Sequence, residues 1–263
     1  MALMHVSFFS EVLGMSTQAE VILPEVSAGQ IGTDAPDRRG STQVLYLLHG
    51  LSDDQTIWQR RTGIERYVSG RNLAVIMPTT HRGWYTDMYM GPRWFTYVSE
   101  ELPRIMCRLF PCLSPRREDT FVCGLSMGGY GALKIGLSKP ERFACAASLS
   151  GAVDAEELTR NGSVAGRREF EDVFGPLESI RGSENDLFHL ADVCAEKAVR
   201  PRLYMCCGLQ DGLYGQNTAL RAKLTEKGYD LTYEEEDGTH CWDYWDMKIQ
   251  SVLSWLYGGK ERG

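Results

Sequence analysis

The stretch Gly124-Leu125-Ser126-Met127-Gly128-Gly129 sets one hydroxyl among residues with little bulk. A serine hydroxyl is a weak nucleophile until a base can take its proton and a third group orients that base. Gly-x-Ser-x-Gly is the spacing of a serine raised on a sharp strand-to-helix turn, because side chains two residues either side would collide across it. The setting matters more than the pattern. The motif follows the apolar run Thr120–Leu125 and leads into a helical segment rich in small residues. A Gly-rich turn with an idle serine is the plainer alternative, and that placement weighs against it.

A base and an acid must then be found downstream, in the chain order Ser, Asp or Glu, His. Of five histidines, only His189 and His240 follow Ser126. His240 lies in "EEEDGTHCWDYW", a short loop between the last strand candidate and the C-terminal helix, where a base is expected. His189 falls on an amphipathic stretch and reads as structural or lid-facing. Asp211, in "RLYMCCGLQDG", follows an apolar run directly and is the best acid; an aspartate before glycine is also an ordinary turn former. Asp154 is a weaker rival, and Asp237 is near His240 in sequence but at the wrong strand position. Acyl transfer also needs donors for a developing oxyanion. The Met127 amide, just after the serine, supplies one, and the Leu51 amide in "LLHGLSDD" the other, with His49 supporting that loop.

Positioning these groups falls to strands and helices. Runs 44–50, 73–78, 120–125, 144–151 and 202–208 are continuously apolar and predict strands buried on both faces. Segments 98–110, 128–139, 217–228 and 243–257 carry apolar residues at helical spacing. Such alternation predicts an α/β fold, a mostly parallel sheet with helices on both faces. "HVSFFSEVLG" and "STQAEVILPEV" predict an antiparallel N-terminal hairpin joined at Gly14-Met15, and the more polar 231–237 an edge strand. Residues 27–41 read as a loop. The segment 154–196 is longer and more charged than a simple crossover. It predicts a cap or lid over the site, with an extra surface helix pair as the alternative.

The chain has 263 residues, enough for one α/β domain with a full core. A formal charge of −7 argues against a nucleic-acid or anionic-membrane partner. The doublets Arg60-Arg61, Arg116-Arg117 and Arg167-Arg168 read as solvated surface. Eight cysteines are scattered without a Cys-x-x-Cys, several in apolar runs, a usage that suits the reducing cytoplasm. No leader pattern or bilayer-length apolar run stands out, so no membrane association is expected. The acidic run Glu234-Glu235-Glu236-Asp237 reads as a solvated edge rather than a metal site.

Taken together, "LLHGLSDD", "MPTTHRGWYTD", "EELPRIM", "GLSMGGYGALK" and "GLQDG…GTHCWDYW" resemble the esterase D-like group of α/β-hydrolases. Within it they look most like the bacterial tributyrin-esterase branch, related to carbohydrate esterase family one. The resemblance spans nearly the whole chain and implies the α/β-hydrolase fold in a single domain, 1–263. It implies a cofactor-free serine carboxylesterase for small-molecule esters of short acyl chains. It carries Ser126, Asp211 and His240 over as triad and the Leu51 and Met127 amides as oxyanion hole. It also suggests that Trp84 and Tyr85 border the substrate pocket, with core packing as the alternative. An S-formylglutathione hydrolase-like thioesterase, a carbohydrate acetyl or feruloyl esterase and a catalytically silent binding protein are the rival expectations. Homo-oligomerisation is left open.

Overall fold

The computed structural model describes residues 1–25, 31, 40–161 and 166–258. Most of the loop expected over 27–41 lies outside them. Eight strands form one sheet: β1 (Ala2–Ser10), β2 (Met15–Leu23), β3 (Gln43–Leu48), β4 (Leu73–Pro78), β5 (Thr120–Leu125), β6 (Cys145–Leu149), β7 (Arg202–Gly208) and β8 (Leu231–Glu236). Their spatial order is β1-β2-β4-β3-β5-β6-β7-β8. β2 runs antiparallel to both its neighbours, and from β4 to β8 every pairing is parallel. The expected N-terminal hairpin and parallel body are both present.

The helices are α1 (Ile57–Arg61), α2 (Ile64–Tyr67), α3 (Trp94–Thr96), α4 (Leu102–Leu109), α5 (Met127–Ser138), α6 (Ala155–Asn161), α7 (Arg167–Phe174), α8 (Leu187–Ala195), α9 (Tyr214–Glu226) and α10 (Trp242–Gly258). Strand periodicity divides the core into two layers. Val44, Tyr46 and Leu48 of β3 join a layer with α4, α5, α8 and α9. Leu45 and Leu47 join the opposite layer with α1, α2 and α10. The central strands therefore need apolar side chains on both faces, which is why they read as unbroken apolar runs.

The same alternation sorts the acidic run of β8, an edge strand as expected. Glu234 and Glu236 accept from Lys248 of α10 at 2.6 and 2.7 Å, while Glu235 accepts from Tyr214 of α9 at 3.0 Å. The helix expected over 98–110 starts earlier and contains a π-helical turn, Tyr97–Glu101. Pro103 has no N–H to give the Ser99 carbonyl, and that carbonyl instead accepts from the Arg142 guanidinium at 3.2 Å. Sequence periodicity gave no sign of α1 and α2, which are only five and four residues long.

In the 154–196 segment, α7 is docked against the loop after β4. The Tyr89 and Met90 amides donate to the Val173 and Asp172 carbonyls at 3.0 and 2.8 Å. Arg82 forks onto Glu169 at 2.7 and 2.8 Å. Residues 162–165 of this segment lie outside the described residues.

Candidate active site

Ser126 stands between β5 and α5 with φ +52° and ψ −118°, a conformation that costs an L-residue energy and lifts the side chain clear of the sheet. Close approach explains the flanking glycines. A β-carbon on Gly124 would lie 2.3 Å from the Gly128 carbonyl oxygen, and one on Gly128 would lie 2.6 Å from those of Leu48 and His49. The turn is pinned from β6, since the Ser126 amide donates to the Leu149 carbonyl at 2.9 Å and the Ala152 amide to the Ser126 carbonyl at 3.0 Å.

Three loops beyond parallel strands meet here. His240 Nε2 lies 3.0 Å from Ser126 Oγ, and its Nδ1 lies 2.9 Å from Asp211 Oδ2. The Asp211 side chain is fully buried, and its other oxygen accepts from the Leu213 amide at 2.8 Å. Burial works against its charge, but bonding to and attraction from His240, together with the Leu213 amide, outweigh it and hold the carboxyl below its ordinary value. An ionised Asp211 fixes the tautomer: Nδ1–H donates to the carboxylate, leaving Nε2 to accept from the serine hydroxyl. The ring also packs edge-on against Trp245, centroids 4.8 Å apart.

The rival acids are engaged elsewhere. Asp154 pairs with Arg181 and caps the Glu157 amide at 2.9 Å. Asp237 accepts from Gln210 at 3.1 Å, in a bracket that ties the acid-bearing loop to the histidine-bearing one. His5 bonds Glu20 in the hairpin, and His81 packs on Trp94.

The loop after β3 completes one wall. His49 is buried, donates from Nδ1 to the Gly50 carbonyl at 2.7 Å, and accepts at Nε2 from the Thr80 amide at 3.1 Å. Accepting at Nε2 requires the neutral ring, and burial pushes its pKa down to about 4. Because a trans peptide points its C=O and N–H in opposite directions, anchoring the Gly50 carbonyl turns the Leu51 amide away from His49. The Met127 amide is the first of α5, where helical amides have no partner within the helix.

Ser126, His240 and Asp211 open onto a cleft of about 670 Å³ whose lining includes Leu51, Met127 and Trp84. Trp84, in a left-handed conformation with φ +53°, rests on Tyr130, Phe170 and Phe174. Tyr85 does not reach the cleft. It is wholly buried, and its hydroxyl donates to the His49 carbonyl at 3.0 Å, so the pocket contact expected of it gives way to support of the loop behind the wall. Asp53, Arg82, Leu158, Trp242 and Trp245 also line the cleft, and sequence reasoning gave them no role. Asp53, Arg82 and the two tryptophans stood inside family motifs and Leu158 inside the expected cap, which was the only signal the sequence carried.

A sheet of this order, with a strained serine on the turn after β5, defines an α/β-hydrolase. Within that class, the chain belongs to the Esterase family, described as "Putative esterase", whose model matches residues 10–256. It is 33% identical to an acetyl esterase of Caldicellulosiruptor saccharolyticus over 97% of this chain and 98% of that one. Among solved structures it is similar to the fluorophosphonate-binding serine hydrolase FphF of Staphylococcus aureus, at 34% identity and a TM-score of 0.86, covering 97% of this chain and 98% of that one. It is also similar to the S-formylglutathione hydrolase FrmB of the same organism, at 33% identity and a TM-score of 0.84, with the same coverage. The protein is a carboxylic ester hydrolase of the serine esterase type. No helix among the described residues is long and apolar enough to cross a membrane.

Proposed function

We propose that Ser126, His240 and Asp211 act as nucleophile, base and acid in two-step hydrolysis of short-chain acyl esters, and that the reaction runs in the cytoplasm. The observation that carries this reading is His240 bridging Ser126 and Asp211 at 3.0 and 2.9 Å. As Ser126 Oγ attacks the ester carbonyl, Nε2 takes its proton, and Asp211 stabilises the imidazolium. The Leu51 and Met127 amides receive the oxyanion. The tetrahedral adduct collapses, Nε2 returns the proton to the departing alkoxide, and a water activated by the same nitrogen releases the acid. The insertion 154–196 serves as a cap: Leu158 reaches the cleft and α7 carries the rings beneath Trp84.

A panel of acetyl, butyryl and longer esters, with tributyrin and acetylated sugars included, tests the substrate class. Ser126→Ala should fold normally and lose about 10⁴-fold or more in kcat, together with fluorophosphonate labelling; retention of either refutes the assignment. Likeness to an S-formylglutathione hydrolase supports a thioesterase as second reading, and turnover of that thioester far above p-nitrophenyl acetate would favour it.

A further inference from the structure

Asp53 lines the cleft and takes no part in the proton relay. It belongs to the turn of the oxyanion loop: its amide donates to the Gly50 carbonyl at 3.2 Å, and the nearby Gly50 amide and Ser52 hydroxyl favour its charged form. A β-carbon on Gly50 would sit 3.0 Å from Asp53 Oδ2 and 3.9 Å from Ser126 Cβ, so carboxylate and nucleophile face one small volume. The charge there is under-compensated. Arg82, in the same lining, is committed to Glu169, and Arg61 attracts Asp53 without forming an ion pair. Burial, chiefly, and the neighbouring Asp54 push the Asp53 carboxyl up from its ordinary value.

The same cleft has an aromatic wall as part of its lining. Trp242 and Trp245 meet edge-on at 5.2 Å, and both line the cleft. Trp58, in the helix that follows Asp53, packs edge-on against Trp242 at 5.3 Å and holds the loop against that wall. Aromatic rings and an anion lining one cleft are the chemistry that receives an alkylammonium group.

We propose that Asp53 and the Trp242–Trp245 wall form a subsite for a cationic group of the substrate, so that the cleft prefers esters bearing an ammonium group and rejects those bearing a carboxylate. The inference rests on the esterase reading above and adds charge selection to it.

Three acetate esters matched in shape test it: that of choline, its isostere with carbon replacing the ammonium nitrogen, and one with a carboxylate at the same distance. Their kcat/KM should fall in that order by about tenfold per step at low ionic strength, and the steps should shrink as salt is added. Asp53→Asn keeps the side chain's size while removing its charge and should compress the series to about threefold or less. Equal turnover of the three by the native enzyme, a salt-independent spread, or an undiminished spread in Asp53→Asn overturns the subsite. Should Asp53→Asn be inactive, the native salt dependence decides alone. Should the native enzyme cleave none of them, the short-chain ester reading fails separately, while fluorophosphonate labelling still judges Ser126. Calorimetric binding of choline then judges the subsite, and equal affinity for native protein and Asp53→Asn overturns it.

Discussion

At the scale of single residues, the site depends on which carboxylate reaches His240. Asp211→Asn should lower kcat by about 10⁴-fold, because an amide cannot hold the ring in the required tautomer. Asp154→Asn, which loosens the contact with Arg181, should change kcat by only about severalfold. Measured side by side, a larger loss for Asp154→Asn would move the acid. His49 makes a different prediction, about pH. Its ring is held neutral, with a folded pKa of about 4 against an ordinary 6.5. Between those values the unfolded chain takes up a proton that the folded chain refuses. Stability from this residue is therefore complete above pH 6.5 and falls as pH drops toward 4, by about 3 kcal/mol in all. His49→Gln should flatten the melting temperature against pH across that window, and an unchanged slope would show that the ring titrates freely in the fold.

At the scale of elements, two glycines separate close packing from mere small size. Gly128→Ala pushes a β-carbon against two backbone carbonyls that cannot step aside, and should cost about 3 kcal/mol or more along with activity. Gly215 lies in α9 with nothing within 4 Å of a β-carbon, and Gly215→Ala should instead stabilise by about 0.5–1 kcal/mol. Thermal unfolding of the two variants reads both signs. The parallel strands were legible in the sequence because burial on two faces demands unbroken apolar runs. The meeting of Ser126, Asp211 and His240 was legible because each stands at the turn after a strand, the first two after apolar runs and His240 after the more polar β8. Sequence could not separate Trp84, at the wall, from Tyr85, behind it, since neighbouring aromatics look alike until the backbone turns. Nor could it pair Arg82 with Glu169, a contact made only once α7 packs against the loop after β4.

At the scale of the molecule, one buried amine ties three parts together. Lys134 is 2% exposed on α5, and its amine donates to Thr86 Oγ1 on the loop that carries Trp84 and to Asn185 Oδ1, just ahead of α8. The Phe95 ring lies 5.1 Å away. Burial lowers its pKa from 10.5 to about 7, although Glu184 and Asp87 pull the other way. The unfolded chain holds this proton up to pH 10.5 and the folded chain gives it up near 7. The cost to folding is therefore nearly complete at pH 7 and fades as pH rises toward 10.5. Lys134→Met removes the titration and fills the same apolar space. Thr86 and Asn185 remain bonded to each other at 2.6 Å, so no acceptor is stranded. The variant should melt above the native protein at pH 7, and the gap should narrow by pH 10. A native protein that melts higher at pH 7, or a gap independent of pH, would mean that the amine keeps its charge in the fold and that the three parts are joined by an ionic contact rather than by neutral hydrogen bonds.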